Sequence, residues 1–316
     1  MKLAILIVTY NSETTIEQVL GELQSQEFEH SVFVLDNASS DRTVELLNRH
    51  TELTLIESQT NLGFCLGNNL LLNRAYQLGF THFLFLNPDA APLPGALTRF
   101  AEAVENSTVQ AFTPKIIRCT NSLGPITPRI IDAAGIYFTS NFRHLDRGSG
   151  ELDQGQYDNP GFVEGGTGAA LLVTRHFVEK VSFIRADQTF EFFDERFFAY
   201  REDAELALRA KRYGLKYWYT PNVVFSHVRK VIPDRRNQLS PFLNALSVRN
   251  RLLLLLSHYS FKAPLLSQIS TLIRNLQVFV YAVVFESESR KLLVSSLSQL
   301  SSHLERRKQI ARTERV

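Results

Sequence analysis

Over the first 115 residues, short apolar runs alternate with stretches of helical periodicity. Residues 3–8, 32–35, 53–56 and 83–86 are brief, rich in β-branched or aromatic side chains, and closed by polar turns. Such runs are strands buried on both faces of a parallel sheet. Between them, residues 14–26, 41–49 and 66–78 repeat apolar positions every three or four residues, which predicts helices. Alternation of this kind gives an open α/β sheet with right-handed crossovers, whose ligands bind beyond the carboxyl ends of the strands.

The pattern then changes. Residues 115–165 are rich in Gly, Pro, Asn and Thr and predict irregular loops with small strands. Regularity returns at 165–173 and in a helix over 202–213 with Leu206, Leu208 and Ala210 inward. Residues 217–225 read as strand pieces broken at Pro221, and the chain is helical from residue 239 onward. Residues 249–316 hold eleven Lys/Arg against four Glu. Two readings of this segment stand side by side: a basic amphipathic surface for an anionic bilayer, or an apolar face packed on the domain or on a second subunit.

Composition adds limits rather than an identity. The 316 residues, 44% apolar and 21% charged, suit one large α/β domain with an appendage. A net charge of +2 does not mark a nucleic-acid partner. Cys65 and Cys119 lack metal-ligand spacing and read as buried, reduced thiols of a cytoplasmic protein. The opening apolar run is cut short by Thr9, Tyr10, Asn11 and Ser12, so it reads as a first strand and not a secretory leader. The longest apolar run of the tail, 276–285, is too short to cross a bilayer, although it could lie on one.

The turns that close the strands carry the chemistry. Asp36 begins the turn Asp36-Asn-Ala-Ser-Ser-Asp41. Its carboxylate can accept the ring N–H of a uracil or thymine or act as a plain helix cap, while Asp41 is explained as a cap alone. Asn87-Pro-Asp89 closes the apolar run 83–86, and a carboxylate at that lip needs solvent or a cation. A simple Asn-Pro-Asp turn would serve equally well. Residues 190–203 set six aromatics before Glu202-Asp203 at a helix start. That acidic pair is either first-turn charge preference or a general base beside an aromatic wall for a sugar face. His227, ending an apolar strand, is structural unless a carboxylate ligand meets it.

Val8-Thr-Tyr-Asn11, Asp36-Asn-Ala-Ser-Ser-Asp41, Asn61-Leu-Gly-Phe64, Asn87-Pro-Asp89, Glu202-Asp203 and Pro221 through His227 stand in one order. In that order they resemble the family-two glycosyltransferases, in their rhamnosyltransferase-like branch with the galactofuranosyl transferases, over about residues 3–228. The resemblance implies a GT-A fold: an α/β, Rossmann-like, mostly parallel sheet flanked by helices. It implies a catalytic domain at 1–230, with a nucleotide-sugar half at 1–115 and an acceptor half at 116–230, then a helical region at 231–316. Matched position by position, Thr9, Tyr10, Asn11, Asp36, Asn61, Gly67, Asn68 and Asn87 fall on the donor side. Gly166, Thr167, Gly168, Tyr200 and Glu202 fall on the acceptor side. Asp203 matches the catalytic base, and Asp89 with His227 matches the ligands of a Mg²⁺ or Mn²⁺ ion.

The implied reaction is inverting transfer of rhamnose or another hexose from a dTDP- or UDP-sugar to a glycan or lipid-linked glycan hydroxyl. The implied setting is the cytoplasm, peripheral to the inner face of the plasma membrane or dimeric through the C-terminal helices. Two departures stand out: Asn87 occupies the place of the first metal-triplet acid, and 165–168 is unusually rich in glycine. Asn87 keeps open a non-catalytic nucleotide-sugar or carbohydrate-binding protein on the same fold. A sugar-nucleotide synthesising enzyme is disfavoured, because no glycine-rich triphosphate loop follows the first strand.

Overall fold

The computed structural model describes residues 1–121, 123–229, 240–260 and 262–312. The nucleotide-side half comprises β1 (Leu3–Thr9), α1 (Ile16–Gln24), β2 (His30–Asp36), α2 (Thr43–Leu47), β3 (Thr54–Glu57), α3 (Gly63–Gln77) and β4 (His82–Leu86). Its four strands pair in parallel in the order β4-β1-β2-β3. Every residue of β1 is buried. Ala4, Leu6 and Val8 enter one apolar cluster and Leu3, Ile5 and Ile7 the other, so alternation fills both faces of the sheet.

Next come β5 (Ala90–Pro92), α4 (Ala96–Glu105), β6 (Ala111–Arg118), β7 (Ile131–Ala133), β8 (Ile136–Phe138), β9 (His144–Asp146) and β10 (Gly161–Val163). They are followed by β11 (Ala170–Thr174), α5 (Arg175–Val181), β12 (Phe183–Ile184), β13 (Phe190–Glu191), α6 (Glu202–Arg212) and β14 (Tyr217–His227). The main sheet runs β10-β14-β6-β11-β4-β1-β2-β3, with β5 on β14 and β7 on β6. β11 lies antiparallel to both β4 and β6, so this half is mixed. α4 and the nearly fully buried β6 are elements that hydrophobic periodicity does not assign. β14 is one strand rather than pieces: its register with β6 shifts between Thr220 and Val224, and Pro221, which has no N–H to donate, sits in that irregularity.

The C-terminal helices are α7 (Pro241–His258), α8 (Leu265–Phe285), α9 (Ser287–Ser298) and α10 (Leu300–Arg312). α7 is part of the main core, where Leu253 and Leu254 join the cluster that covers the sheet. α6 carries a fully buried ion pair, Arg209 to Glu205 at 2.7 Å, and His258 Nε2 of α7 meets Glu205 at 3.1 Å. Arg209 takes an inward place on α6, whereas Leu208 is only partly buried.

The basic excess of this region is partly internal. Arg249 donates to the carbonyls of Arg196 and Phe197, Arg251 to Asn275, Arg306 to Glu191, and Arg307 to the carbonyls of Leu256 and Tyr259. α8 is also longer than its apolar run suggests: at 21 residues it could cross a membrane by length and composition. The boundary expected at 230/231, the helix start expected at 239, and the charges Glu314 and Arg315 lie outside the described residues.

Candidate active site

Register aligns the strand ends into one rim. Thr9 pairs with Asp36, Asp36 with Glu57, and Ile7 with Leu86, which places Asn87 one step beyond the edge. Asp36 is buried. Its Oδ1 accepts from the Thr9 and Ser39 hydroxyls at 2.8 and 2.6 Å, and its Oδ2 accepts only the Ser39 N–H at 2.8 Å. One lone pair on Oδ2 therefore remains for an incoming N–H. Asn11, at φ 49°, bridges the first two turns through Oδ1 to the Ser40 N–H at 2.8 Å. Tyr10 is exposed.

Asn61 accepts the Gly63 N–H at 2.9 Å and shapes the start of α3. Asn68 is buried, with Nδ2 on the Phe64 carbonyl and no hydrogen-bond partner for Oδ1. Gly67 has a packing reason of its own, since a Cβ there would lie 3.0 Å from Val8. Asn69, the residue after Asn68, clamps the chain at 192–195. Its Oδ1 accepts the N–H groups of Phe192 and Phe193, and its Nδ2 donates to the Phe193 carbonyl and to Glu195.

Beyond β4 and β14 lies a relay of acids and one imidazole. His227 Nε2 is 3.4 Å from Asp89 Oδ1, and Nδ1 is 2.8 Å from Asp132 Oδ2. All three side chains are buried. Asp132 also receives Arg118 and Arg229 at 3.3 Å each, and Arg229 reaches Asp146 at 2.7 Å. Burial disfavours the charged imidazole, but its bonds to Asp132 and Asp89 outweigh that and raise its pKa to about 9. The relay thus already holds positive charge between Asp89 and Asp132, and a cation and a proton compete for the same Nε2.

Among the described residues no group of three or more His, Cys, Asp or Glu side chains could enclose a metal. A divalent ion here would have Asp89 and His227, with Asp132 fixing the ring from behind. Asp89 meets the magnesium-type mode, in which one or two carboxylates are completed by phosphate oxygens, and His227 would add a nitrogen ligand once its Nε2 gives up its proton.

The acidic pair sits at the start of α6, after a strained loop. Phe198, Tyr200 and Arg201 have φ of 64°, 70° and 68°, a conformation that costs non-glycine residues about 1–3 kcal/mol each. Asp203 Oδ1 accepts the Ala204 N–H at 2.7 Å, and Oδ2 accepts the Gly168 N–H at 3.4 Å. A Cβ at Gly168 would lie 3.3 Å from Glu202, so glycine keeps this wall open. At Gly166 a side chain would strike Leu171, a packing constraint. Thr167 is buried, and its hydroxyl lies 3.4 Å from the Ala169 N–H.

Burial raises the pKa of both acids. Asp203 adds to it for Glu202, and Asp146 adds to it for Asp203. Glu202 Oε2 is buried with no hydrogen-bond partner. The Tyr200 hydroxyl is pushed up by burial, then by Glu202 and by Asp89. The acidic pair is joined to the Asn87-Pro-Asp89 turn through the 168–169 segment, since Asp203 accepts the Gly168 N–H and the Ala169 carbonyl accepts the Asn87 N–H at 3.0 Å.

The expected aromatic wall is mostly core. Phe190, Phe192, Phe193 and Phe197 are buried, with Phe192 stacked on Phe85 at 4.9 Å, and only Phe198 and Tyr200 are partly exposed toward the loop. Sequence reasoning missed Asp132, Asp146, Arg229 and Asn250. Asp132 had a signal, a single acid inside the apolar run Ile130-Ile-Asp-Ala-Ala134. Asn250 of α7 is buried and its Nδ2 donates to the carbonyls of Phe197, Ala199 and Tyr200 at 2.7–2.8 Å, fixing the strained loop.

A mixed α/β sheet thus presents an acid-lined rim beyond its strand ends. The chain belongs to glycosyl transferase family 2, whose family model matches residues 4–172, more than half of its length. Among curated relatives, TagX of Staphylococcus aureus, provisionally named a glycosyltransferase, is 29% identical over 113 residues. That match covers 34% of this chain and only 32% of TagX. The low-salt glycan biosynthesis hexosyltransferase Agl10 of Haloferax volcanii is 26% identical over 79% of this chain and 74% of its own length.

The fold is the GT-A fold of solved structures. GalNAc-T7 with UDP, GalNAc and Mn²⁺ aligns with a TM-score of 0.66 at 9% identity, over 96% of this chain and 56% of that one. TarS 1-349 of S. aureus with UDP-GlcNAc aligns at 0.52 and 16% identity, over 98% and 84% of the two chains. The mannosyltransferase PcManGT of Pyrobaculum calidifontis, with GDP-Man and Mn²⁺, aligns at 0.51 and 15%, over 99% and 85%.

Proposed function

We propose that the chain is an inverting glycosyltransferase moving a hexose from a dTDP- or UDP-linked donor to a hydroxyl of a glycan or lipid-linked glycan. The observation that carries this reading is that Asp203 accepts the Gly168 N–H, while the carbonyl of the next residue, Ala169, accepts at 3.0 Å the N–H of Asn87, the residue that opens the turn ending in Asp89. This link supports a proton acceptor on one side of the strand ends and a diphosphate-bearing donor on the other.

In the reaction, Asp203 takes the proton of the acceptor hydroxyl as that oxygen bonds to the anomeric carbon. The bond from that carbon to the diphosphate breaks on the opposite side, its electron pair leaves with the diphosphate, and the configuration inverts. Asp36 faces the base, while Thr9, Asn11, Asn61 and Asn87 border the donor. Gly168, Tyr200 and Glu202 line the acceptor side. Asp89 and His227 would hold Mg²⁺ or Mn²⁺, which supplies charge neutralisation for the departing diphosphate.

A panel of nucleotide sugars tests this. One dTDP- or UDP-sugar should raise the melting temperature and be hydrolysed slowly with Mg²⁺ or Mn²⁺, and excess chelator should stop turnover. Because Asn87 leaves Asp89 as the single carboxylate ligand of that turn, a non-catalytic reading has its own signature: stabilisation by a nucleotide sugar with no hydrolysis or transfer under any metal.

A further inference from the structure

α8 is built inside out. Its buried positions are Thr271, Asn275 and Ala282, and Asn275 Oδ1 accepts Arg251 of α7 at 2.5 Å. Its outward positions include Leu265, Leu266, Leu272, Leu276, Val280 and Val284, of which Leu266 is 82% exposed. At about 100° per residue, every α8 position in an arc of about 120° from Leu272 round to Leu266 and Val284 is a large aliphatic. All of these are exposed. A water-soluble helix turns such a stripe inward, and a contiguous exposed one marks an interaction surface.

Charge and shape select the occupant. α8 contains no Asp or Glu, and its one charge, the exposed Arg274, lies with Tyr281 beyond the edge of the stripe. Lys262 precedes the helix and Arg290 and Lys291 follow it, all exposed, with Glu286 and Glu288 between. Lys291 is paired with Glu288 at 2.6 Å, so Lys262, Arg274 and Arg290 carry the basic character. This is the layout of a helix lying in a membrane interface, with apolar side chains down and basic groups at the anionic headgroups. A pairing seam between two helices is narrower than this arc. Spanning is excluded by the inner face, which Arg251 and the hydrogen bond from Ser267 to the Ser140 carbonyl tie to the domain along the helix.

We propose that α8 docks the protein in the plane of an anionic bilayer surface. The opposite, inner face of α8 meets the tip of the hairpin formed by β8 and β9 through the hydrogen bond from Ser267 to the Ser140 carbonyl.

The proposal stands apart from the transfer reaction, because vesicle binding requires no donor. The test is flotation of the full chain with vesicles of phosphatidylglycerol in phosphatidylcholine, with size-exclusion chromatography alongside. Binding is expected and should weaken severalfold at high salt. Leu272→Glu with Leu276→Glu should lower partitioning about a hundredfold, since each leucine withdrawn from the interface is worth on the order of tenfold. The double variant should keep its far-UV spectrum and its response to nucleotide sugars. Absence of vesicle binding overturns the proposal, as does a dimer that the double variant dissociates while neither form binds lipid. Equal binding to pure phosphatidylcholine overturns the assignment to anionic lipid.

Discussion

Asn250→Ala separates two views of α7: an appendage packed behind the domain, or a part of the machinery that shapes the acceptor side. Asn250 is fully buried, and its amide meets three carbonyls of the loop 197–200 at 2.7–2.8 Å. Two N–H groups serve three acceptors, so one bond is shared. The loop they hold and Arg201 just after it contain three residues at positive φ, each costing about 1–3 kcal/mol. Without the amide, the strain has no opposing bond and buried carbonyls lose their donor at about 1–3 kcal/mol apiece. The loop should relax, carrying Tyr200 and the start of α6 with it.

If about 2–3 kcal/mol of that reaches the reacting geometry, kcat falls roughly 30- to 150-fold. Donor binding, made on the other side of the rim, should stay within about twofold. The assay is metal-dependent donor hydrolysis or transfer, with kcat and donor KM measured separately below the melting temperature. Leu254→Ala on the same helix is the control: it removes core packing at a cost of about 2–5 kcal/mol without touching those carbonyls, and should leave kcat near that of the parent. A normal kcat in Asn250→Ala, or an equal loss in Leu254→Ala, would refute the reasoning.

Asp203→Asn should lower turnover at least about a hundredfold with the donor-induced rise in melting temperature intact; loss of that rise would move Asp203 to the donor site. Because burial and Asp146 raise the Asp203 pKa, and a base must be ionised, turnover should rise with pH along a limb displaced above the ordinary aspartate value of about 3.9. A limb at or below that value contradicts the assigned environment. Asp89→Ala should abolish metal-dependent turnover, and Asp132→Asn should raise the half-saturating Mn²⁺ concentration about 10- to 100-fold; an unchanged titration would make Asp132 purely structural. Glu202, whose pKa is raised by burial and by Asp203, binds its proton more tightly in the folded chain than in the unfolded one. Its contribution to stability is therefore present at low pH and lost as pH rises from the unfolded value of about 4.3. Glu202→Gln should flatten the fall in melting temperature between acid and alkaline pH, and an unaltered slope would count against that environment.

Periodicity locates the nucleotide-side half well, because strands buried on both faces have little freedom in composition. All four expected strands, and the helices between them, stand within a few residues of their expected places. It does worse where packing is set by partners far along the chain. β6 reads partly as loop because Thr113, Pro114 and Lys115 interrupt its apolar run, yet Lys115 is buried against Asp153. Leu208 reads as inward by spacing, but the fully buried charge of Arg209, paired with Glu205, takes that side of α6. A buried ion pair has no signature in hydrophobic periodicity.

The same asymmetry governs the site. Residues at strand ends could be nominated one by one, since a polar group closing an apolar strand is unusual wherever it occurs. What sequence could not supply is the support behind them, because support is a matter of distance in space. Asp132 on β7 fixes the ring of His227, 95 residues away, and Asn250 on α7 fixes a loop about 50 residues before it. The aromatic residues between Phe190 and Tyr200 illustrate the converse, since four of the six serve the core. Strained backbone at 198–201 and an unpartnered Glu202 oxygen lie together at the start of α6. A chain selected for stability alone would keep neither, and α7 is the element that holds that region in place. Removing the helical region should therefore disable the acidic pair before it unfolds the sheet.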